Sequence, residues 1–174
     1  MTTANTELSI DVIEPHLRRI ESPIGRIEIT SDGEAILSLS IERGGHLPLE
    51  ELPENSDEVL DAAADQLAEY FAGNRRSFSV PVKLAGTEFQ KAVWAGLNAL
   101  PFGQITSYGE LGRTTGRPTA GRAVGGAVGA NPVPLLVPCH RVLASNNRIT
   151  GYSAGEGVTT KLWLLAHEGI MAHA

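Results

Sequence analysis

The run VPCHRV, Val137 to Val142, places the only cysteine of the chain, Cys139, directly before a histidine and an arginine. Pro138 fixes its own φ and biases Val137 toward an extended backbone, so the thiol follows a stiffened approach. His140 supplies a proton acceptor beside the sulfur, and Arg141 adds a fixed positive charge. Thiolate is the reactive form of cysteine, and neighbouring cations lower its pKa. A lone cysteine elsewhere is usually a small buried hydrophobe. Here the surrounding residues point to a nucleophile.

Composition limits the classes to which that nucleophile can belong. The chain has 174 residues with 42% hydrophobic and 20% charged, the profile of a globular protein with room for one large or two small domains. One cysteine leaves no internal disulfide and no cysteine-rich zinc site. The opening MTTANTELSIDVIEPHL lacks an apolar h-region, and no apolar run approaches the roughly 20 residues needed to span a bilayer, so the expectation is a cytoplasmic protein with no membrane contact. Net charge is −6, but unevenly spread: residues 1–84 carry −9 and residues 85–174 carry +3. Between Ile105 and Arg148 five arginines face Glu110 alone. An acidic first half joined to a basic second half reads as two domains, 1–84 and 85–174, with any polyanion contact in the second.

The elements that must position the thiol follow from periodicity. Ile24–Thr30 and Ala35–Ile41 alternate in polarity around a Ser-Asp-Gly turn and read as a hairpin. Asp57–Ala72 carries apolar residues at helical spacing, and Ser77–Leu84 is compatible with a returning strand. His16 and His46 have no ligand-like spacing and read as surface residues. Thr87–Gln90 is a capping box opening a helix that buries Val93, Trp94 and Leu97, and Ser107–Glu110 is a second box before a short helix. Arg117-Pro118 begins a turn, then Thr119–Ala130 forms the next helix, so the pair has the pattern of a helix-turn-helix. That second helix is almost all small residues, with Arg122 its one long side chain. Small residues permit either close helix packing or close approach to a DNA groove. The Gly-rich stretch Ile149–Gly157 lacks a phosphate-loop pattern, and no cofactor is expected. Thr159–Gly169 reads as an amphipathic helix with Leu162, Leu165 and Ala166 inward. The fold class is therefore α+β: a small sheet-containing N-terminal unit and a helical C-terminal unit.

PCHRV at 138–142, preceded by RAVGGAV and ANPVPLLV and followed by GYSAG and WLLAHEG, closely resembles the O6-alkylguanine-DNA alkyltransferases, the methylated-DNA–protein-cysteine methyltransferase family. The likeness runs from about Gly86 to Gly169. It implies displacement of an alkyl group from guanine O6 onto Cys139, because a carbon bonded to oxygen calls for a soft nucleophile. By the same resemblance His140 takes the thiol proton through a water and Glu168 holds the histidine. Tyr108 donates to the leaving guanine, and Tyr152 and Ser153 border its O6 side. The carbonyls of Cys139 and Val142 meet the exocyclic amine, and Asn131 hinges the cysteine turn. Arg122 fills the stack vacated by a flipped nucleotide, on a helix whose Thr119, Ala120, Gly121 and Ala123 enter the minor groove.

The resemblance further implies repair of O6-alkylguanine, and less readily O4-alkylthymine, in one turnover without cofactor or metal. The implied partner is double-stranded DNA containing alkylated guanine. The protein is expected to act as a monomer, with cooperative assembly on DNA as the alternative. Two features depart from the pattern: a loop about two residues longer between Tyr152 and Trp163, and Gly121 where alanine is common. Two rival classes remain. A DNA-binding module that recognises the lesion without removing it would lack the acceptor cysteine, and a Cys–His hydrolase would turn over repeatedly and need an oxyanion hole.

Overall fold

Strand β2 (Ile27–Ser31) is buried along its whole length because it lies between β1 (His16–Ile20) and β3 (Ile36–Ile41) in an antiparallel sheet. These elements belong to a computed structural model that describes residues 15–117 and 119–172. The hairpin expected from alternation is present. Its turn needs Gly33, whose φ of +95° lies in the left-handed region. Asp32 closes it by accepting from the amides of Glu34 and Ala35, each at 2.9 Å. Sequence reading does not anticipate β1, since HLRRI lacks alternation and only Leu17 is fully buried. Central placement also buries Glu28, which accepts from Arg19 Nε and from the Leu49 amide, both at 2.9 Å.

Helix α1 (Glu58–Phe71) starts where Asp57 accepts from the Leu60 amide and packs Leu60, Ala63, Leu67 and Tyr70 against the sheet. Segment 77–84 is not a strand. It touches the sheet through one parallel bridge, Ile36 to Val82, and Pro81 removes a donor that a longer ladder would need. The same core takes in Val133, Leu135, Leu136 and Leu164 from the second half, so the two halves share apolar packing.

Beyond residue 84 the chain is helical. Helix α2 (Glu88–Asn98) opens on the full Thr87/Gln90 capping box, and Val93, Trp94 and Leu97 are buried. Two-residue strands β4 (Thr106–Ser107) and β5 (Val142–Leu143) pair in parallel. Helix α3 (Tyr108–Thr114) has only half of the expected box. Ser107 accepts from the Glu110 amide, while the Glu110 carboxylate turns outward to Arg113 at 2.6 Å. Helix α4 spans Gly121–Gly129, two residues shorter at its start than expected, because the Ala120 amide closes a turn onto Arg117 O and Ala120 offers no capping side chain. Pro118, part of the expected turn, lies outside the described residues, as does the N-terminal stretch 1–14.

Cys139–Arg141 forms a single 3-10 turn between α4 and β5. Helix α5 (Val158–His167) buries Thr160, Lys161, Leu164 and Leu165. Ala166, expected inward, is exposed, and Leu162 is half-buried. The inward stripe is offset because two charged residues, Lys161 and Glu168, occupy it.

Candidate active site

The cysteine turn is held from below by one side chain. Asn131 follows the end of α4; its Nδ2 donates to Val137 O at 2.9 Å and its Oδ1 accepts from the Val133 amide at 3.0 Å. Between them Leu135 sits at φ +74°, a left-handed conformation that costs a branched residue free energy. Trp94 Nε1 donates to Ala127 O at 2.8 Å, so α4 is fastened to α2 on the side away from solvent. Cys139 ends up 4% exposed.

Behind the sulfur stands a buried carboxylate with four donors. Glu168 Oε2 meets His140 Nε2 at 2.5 Å and accepts from Tyr70 Oη at 2.7 Å. Its Oε1 accepts from Arg141 Nε at 2.7 Å and from the Gly103 amide at 3.3 Å. Burial opposes this charge, but the bonds from His140, Arg141 and Tyr70 outweigh it and hold Glu168 well below the usual carboxylate range. Arg141 also donates to Leu100 O at 2.8 Å. Burial depresses the His140 pKa despite Glu168, which favours the neutral ring. Nδ1 of that ring is buried and has no hydrogen-bond partner among the described residues. It is the nitrogen left to accept a proton. Burial pushes the Cys139 thiol up, with Asn131, Tyr152 and the charge of Lys161 pulling the other way.

In front of the sulfur lies a cavity of about 280 Å³ bordered by Tyr108, Gly125, Val128, Tyr152, Ser153 and Lys161. Tyr108 Oη lies 3.4 Å from Thr150 Oγ1, and Ser153 Oγ donates to Gly129 O at 3.0 Å. Tyr152 is half-buried with its hydroxyl inward; the phenol keeps its proton and, among the described residues, has no hydrogen-bond partner of good geometry. Val142 O already accepts from Lys161 Nζ at 2.6 Å; the same ammonium reaches Gly151 O at 3.1 Å. Lys161 is 1% exposed, and burial lowers its pKa to about 8 against the opposing pull of Cys139.

The structure thus gathers Cys139, His140, Glu168, Asn131, Tyr108, Val142, Tyr152 and Ser153 around one thiol. Sequence reading missed two participants. Lys161 stands seven residues before Glu168 on the apolar face of α5, and charges at that spacing were a legible signal. Tyr70 gave none, since its burial looks like ordinary core.

Gly121, Arg122 and Ala123 stand apart from this cluster on the exposed side of α4, preceded by exposed Thr119 and half-buried Ala120. Val124, Ala127 and Val128 form the inward side. A methyl group added at Gly121, Gly126 or Gly129 would meet no atom within 4 Å. Internal packing therefore does not require glycine there, although each weakens the helix by up to about 1 kcal/mol relative to alanine. Three or more metal-ligating side chains do not cluster anywhere among the described residues.

Comparison with known proteins gives matches over both halves. The family "6-O-methylguanine DNA methyltransferase, DNA binding domain" matches residues 88–170, and "6-O-methylguanine DNA methyltransferase, ribonuclease-like domain" matches residues 17–84. A methylated-DNA–protein-cysteine methyltransferase of Methanosarcina acetivorans is 41% identical over 152 residues, 86% of this chain and 95% of the relative. That of Mycobacterium bovis is 39% identical over 159 residues, 91% of this chain and 95% of the relative. Among solved structures, the Mycobacterium tuberculosis O6-methylguanine methyltransferase superposes with a TM-score of 0.79 at 38% identity, covering 89% of this chain and 93% of that one. The M. tuberculosis protein in complex with DNA gives 0.79 at 39%, covering 88% and 93%.

Proposed function

The chain belongs to the methylated-DNA–protein-cysteine methyltransferase family, and from that premise we infer that it repairs O6-alkylguanine in DNA by moving the alkyl group to its own Cys139. The observation that carries this reading is the buried thiol at the floor of the 280 Å³ cavity, with the His140–Glu168 pair behind it. His140 Nδ1 accepts the thiol proton through a water, and Glu168 steadies the imidazolium that results. Sulfur attacks the alkyl carbon in line with O6, and the electron pair of the broken bond leaves with the base. Tyr108 donates to the departing guanine, where charge develops. Tyr152 and Ser153 line its O6 side, and the carbonyls of Cys139 and Val142 face its exocyclic amine. Asn131 keeps the cysteine turn in shape.

The lesion reaches the thiol only out of the duplex, since a sulfur cannot line up behind the alkyl carbon of a stacked base. Arg122 fills the gap, and the glycines of α4 let the backbone approach the minor groove alongside Thr119, Ala120, Gly121 and Ala123. We read 85–174 as the unit that binds DNA and accepts the alkyl group, and 1–84 as the N-terminal unit that braces it. The thioether product is stable, so each molecule acts once, as a monomer and without cofactor; O4-alkylthymine is the poorer substrate. No described helix is long and apolar enough to cross a membrane, and we place the work in the cytoplasm.

Intact-mass measurement after mixing with an O6-methylguanine duplex tests this reading. One added methyl per protein, mapped to Cys139, and no activity afterwards is the expected result. Cys139→Ala abolishes transfer and retains most DNA affinity. Repeated turnover, or a methyl elsewhere, overturns the mechanism.

A further inference from the structure

A cavity of about 500 Å³ lies between the segment that follows α1, the end of α2 and the chain leading into the cysteine turn. It shares no lining residue with the 280 Å³ cavity in front of the sulfur. Arg141 forms part of its wall and is only 5% exposed. Nε of that residue donates to Glu168 Oε1 at 2.7 Å and Nη1 to Leu100 O at 2.8 Å, while Nη2 has no hydrogen-bond partner among the described residues. A polar group withdrawn from water needs its hydrogen bonds restored, so an unsatisfied guanidinium nitrogen at this depth calls for an acceptor. Arg76, also in the lining, is exposed and stands over the Phe102 ring, 5.2 Å from its centroid; its charge is unpaired among the described residues. The other polar lining residues are Ser77 and Asn98, and no described acidic side chain joins them. In a chain of net charge −6, two arginines meet here without a carboxylate in the same wall.

The rest of the wall narrows the class of anion. Phe78, Phe102, Leu136 and Pro138 supply apolar surface, two of them flat rings. A phosphate dianion would leave oxygens facing that surface without donors, whereas a carboxylate needs little more than one guanidinium edge. We propose that this cavity binds small carboxylates with a flat apolar body, the carboxylate taken by Arg141 Nη2 and Arg76 and the body lying against Phe78 and Phe102. Such a ligand shares one guanidinium with Glu168. Negative charge added at Nη2 competes for the Arg141 cation and leaves more of the Glu168 charge to His140, which becomes the better proton acceptor. Occupancy of the cavity therefore speeds alkyl transfer from a place that neither DNA nor the alkyl group enters. This consequence, unlike the binding itself, rests on the reading of His140 as the base for Cys139.

Calorimetric titration of the full chain with 2-naphthoate, without DNA, tests the site. Saturable binding is expected, with 2-naphthamide and inorganic phosphate each at least about tenfold weaker. Naphthamide binding as tightly removes the carboxylate from the argument, phosphate binding more tightly removes the apolar body, and either overturns the proposal, as does the absence of saturable binding. Arg76→Gln and Ser77→Trp, the second filling the cavity, should each weaken naphthoate at least about tenfold and leave methyl transfer in its absence within about twofold. Arg122→Ala should bind naphthoate like wild type; loss there, with Arg76→Gln unaffected, places the ligand on α4 and overturns the site. Single-turnover transfer from an O6-methylguanine duplex at saturating naphthoate should rise at least about twofold in wild type and stay unchanged in Arg76→Gln at the same concentration. An unchanged wild-type rate with naphthoate bound overturns the coupling. Absence of methyl transfer without naphthoate sinks the acceptor reading of Cys139 instead, and the titration without DNA still decides the cavity.

Discussion

Lys161 is the charged residue that bears most directly on the thiol. Its ammonium is buried, donates to the carbonyls of Val142 and Gly151, and helps to offset the upward push of burial on Cys139. Transfer should accelerate with rising pH as the thiol ionises, then decline above about 8, where Lys161 loses its proton. Single-turnover methyl transfer measured from pH 6 to 10 checks this. Lys161→Met should be at least tenfold slower at pH 7.5 and lose the descending limb. An unchanged profile in that variant would assign Lys161 to structure alone.

At the level of elements, α4 holds two separable features. Arg122 projects from its exposed side, whereas Cys139 sits on the turn behind it. Filling a vacated stack offsets part of the few kcal/mol that nucleotide flipping costs. Arg122→Ala should therefore slow repair within a duplex by a large factor and leave transfer from free O6-benzylguanine nearly unchanged. Equal loss on both substrates would make Arg122 a support of the fold or pocket. Gly126 has open space beside it. Gly126→Ala should raise stability by up to about 1 kcal/mol, read from denaturant unfolding. Gly126→Leu should fold equally well but bind duplex DNA at least tenfold more weakly if, as we propose, the exposed side of α4 enters the groove.

Across the whole molecule, the N-terminal half touches the His140–Glu168 pair through the Tyr70 hydroxyl. Tyr70, on α1, donates to the same Glu168 oxygen that meets His140. Burial and the neighbouring carboxylate keep the phenol protonated, so it is the donor in its bond to Glu168. Around it Phe71, Phe78, Phe102 and His167 form an aromatic cluster that joins the two halves. Tyr70→Phe preserves that packing and removes the donor, at a cost of about 1–3 kcal/mol for a bond to a charged acceptor. Glu168 has a depressed pKa in the folded state, so its contribution is present above its ordinary value of 4.5 and fades as pH falls. The variant's destabilisation should accordingly be full at pH 7 and shrink below about pH 4.5 in denaturant titrations. A deficit independent of pH would mean lost packing instead.

The sequence alone determined the parts that depend on local chemistry. A proline-stiffened cysteine before a histidine, the Thr87/Gln90 capping box, the Ser-Asp-Gly hairpin and the slim composition of α4 are all statements about neighbours in the chain, and short-range sterics and hydrogen bonding decide them. The likeness to a known family rested on such runs as well. What only the tertiary structure decided involves partners far apart in sequence. Tyr70 meets Glu168 across 98 positions, and Arg43 reaches Gly155 across 112. Strand β1 exists because β2 offers it an edge, although HLRRI has little strand character of its own. Leu165 is buried as periodicity predicts, but Lys161 joins it on the inward face of α5 and Glu168 is buried just past the helix end, because four donors around Glu168 and two carbonyls at Lys161 compensate the desolvation of each charge. No local pattern encodes that compensation, since it depends on which distant groups converge when the core closes.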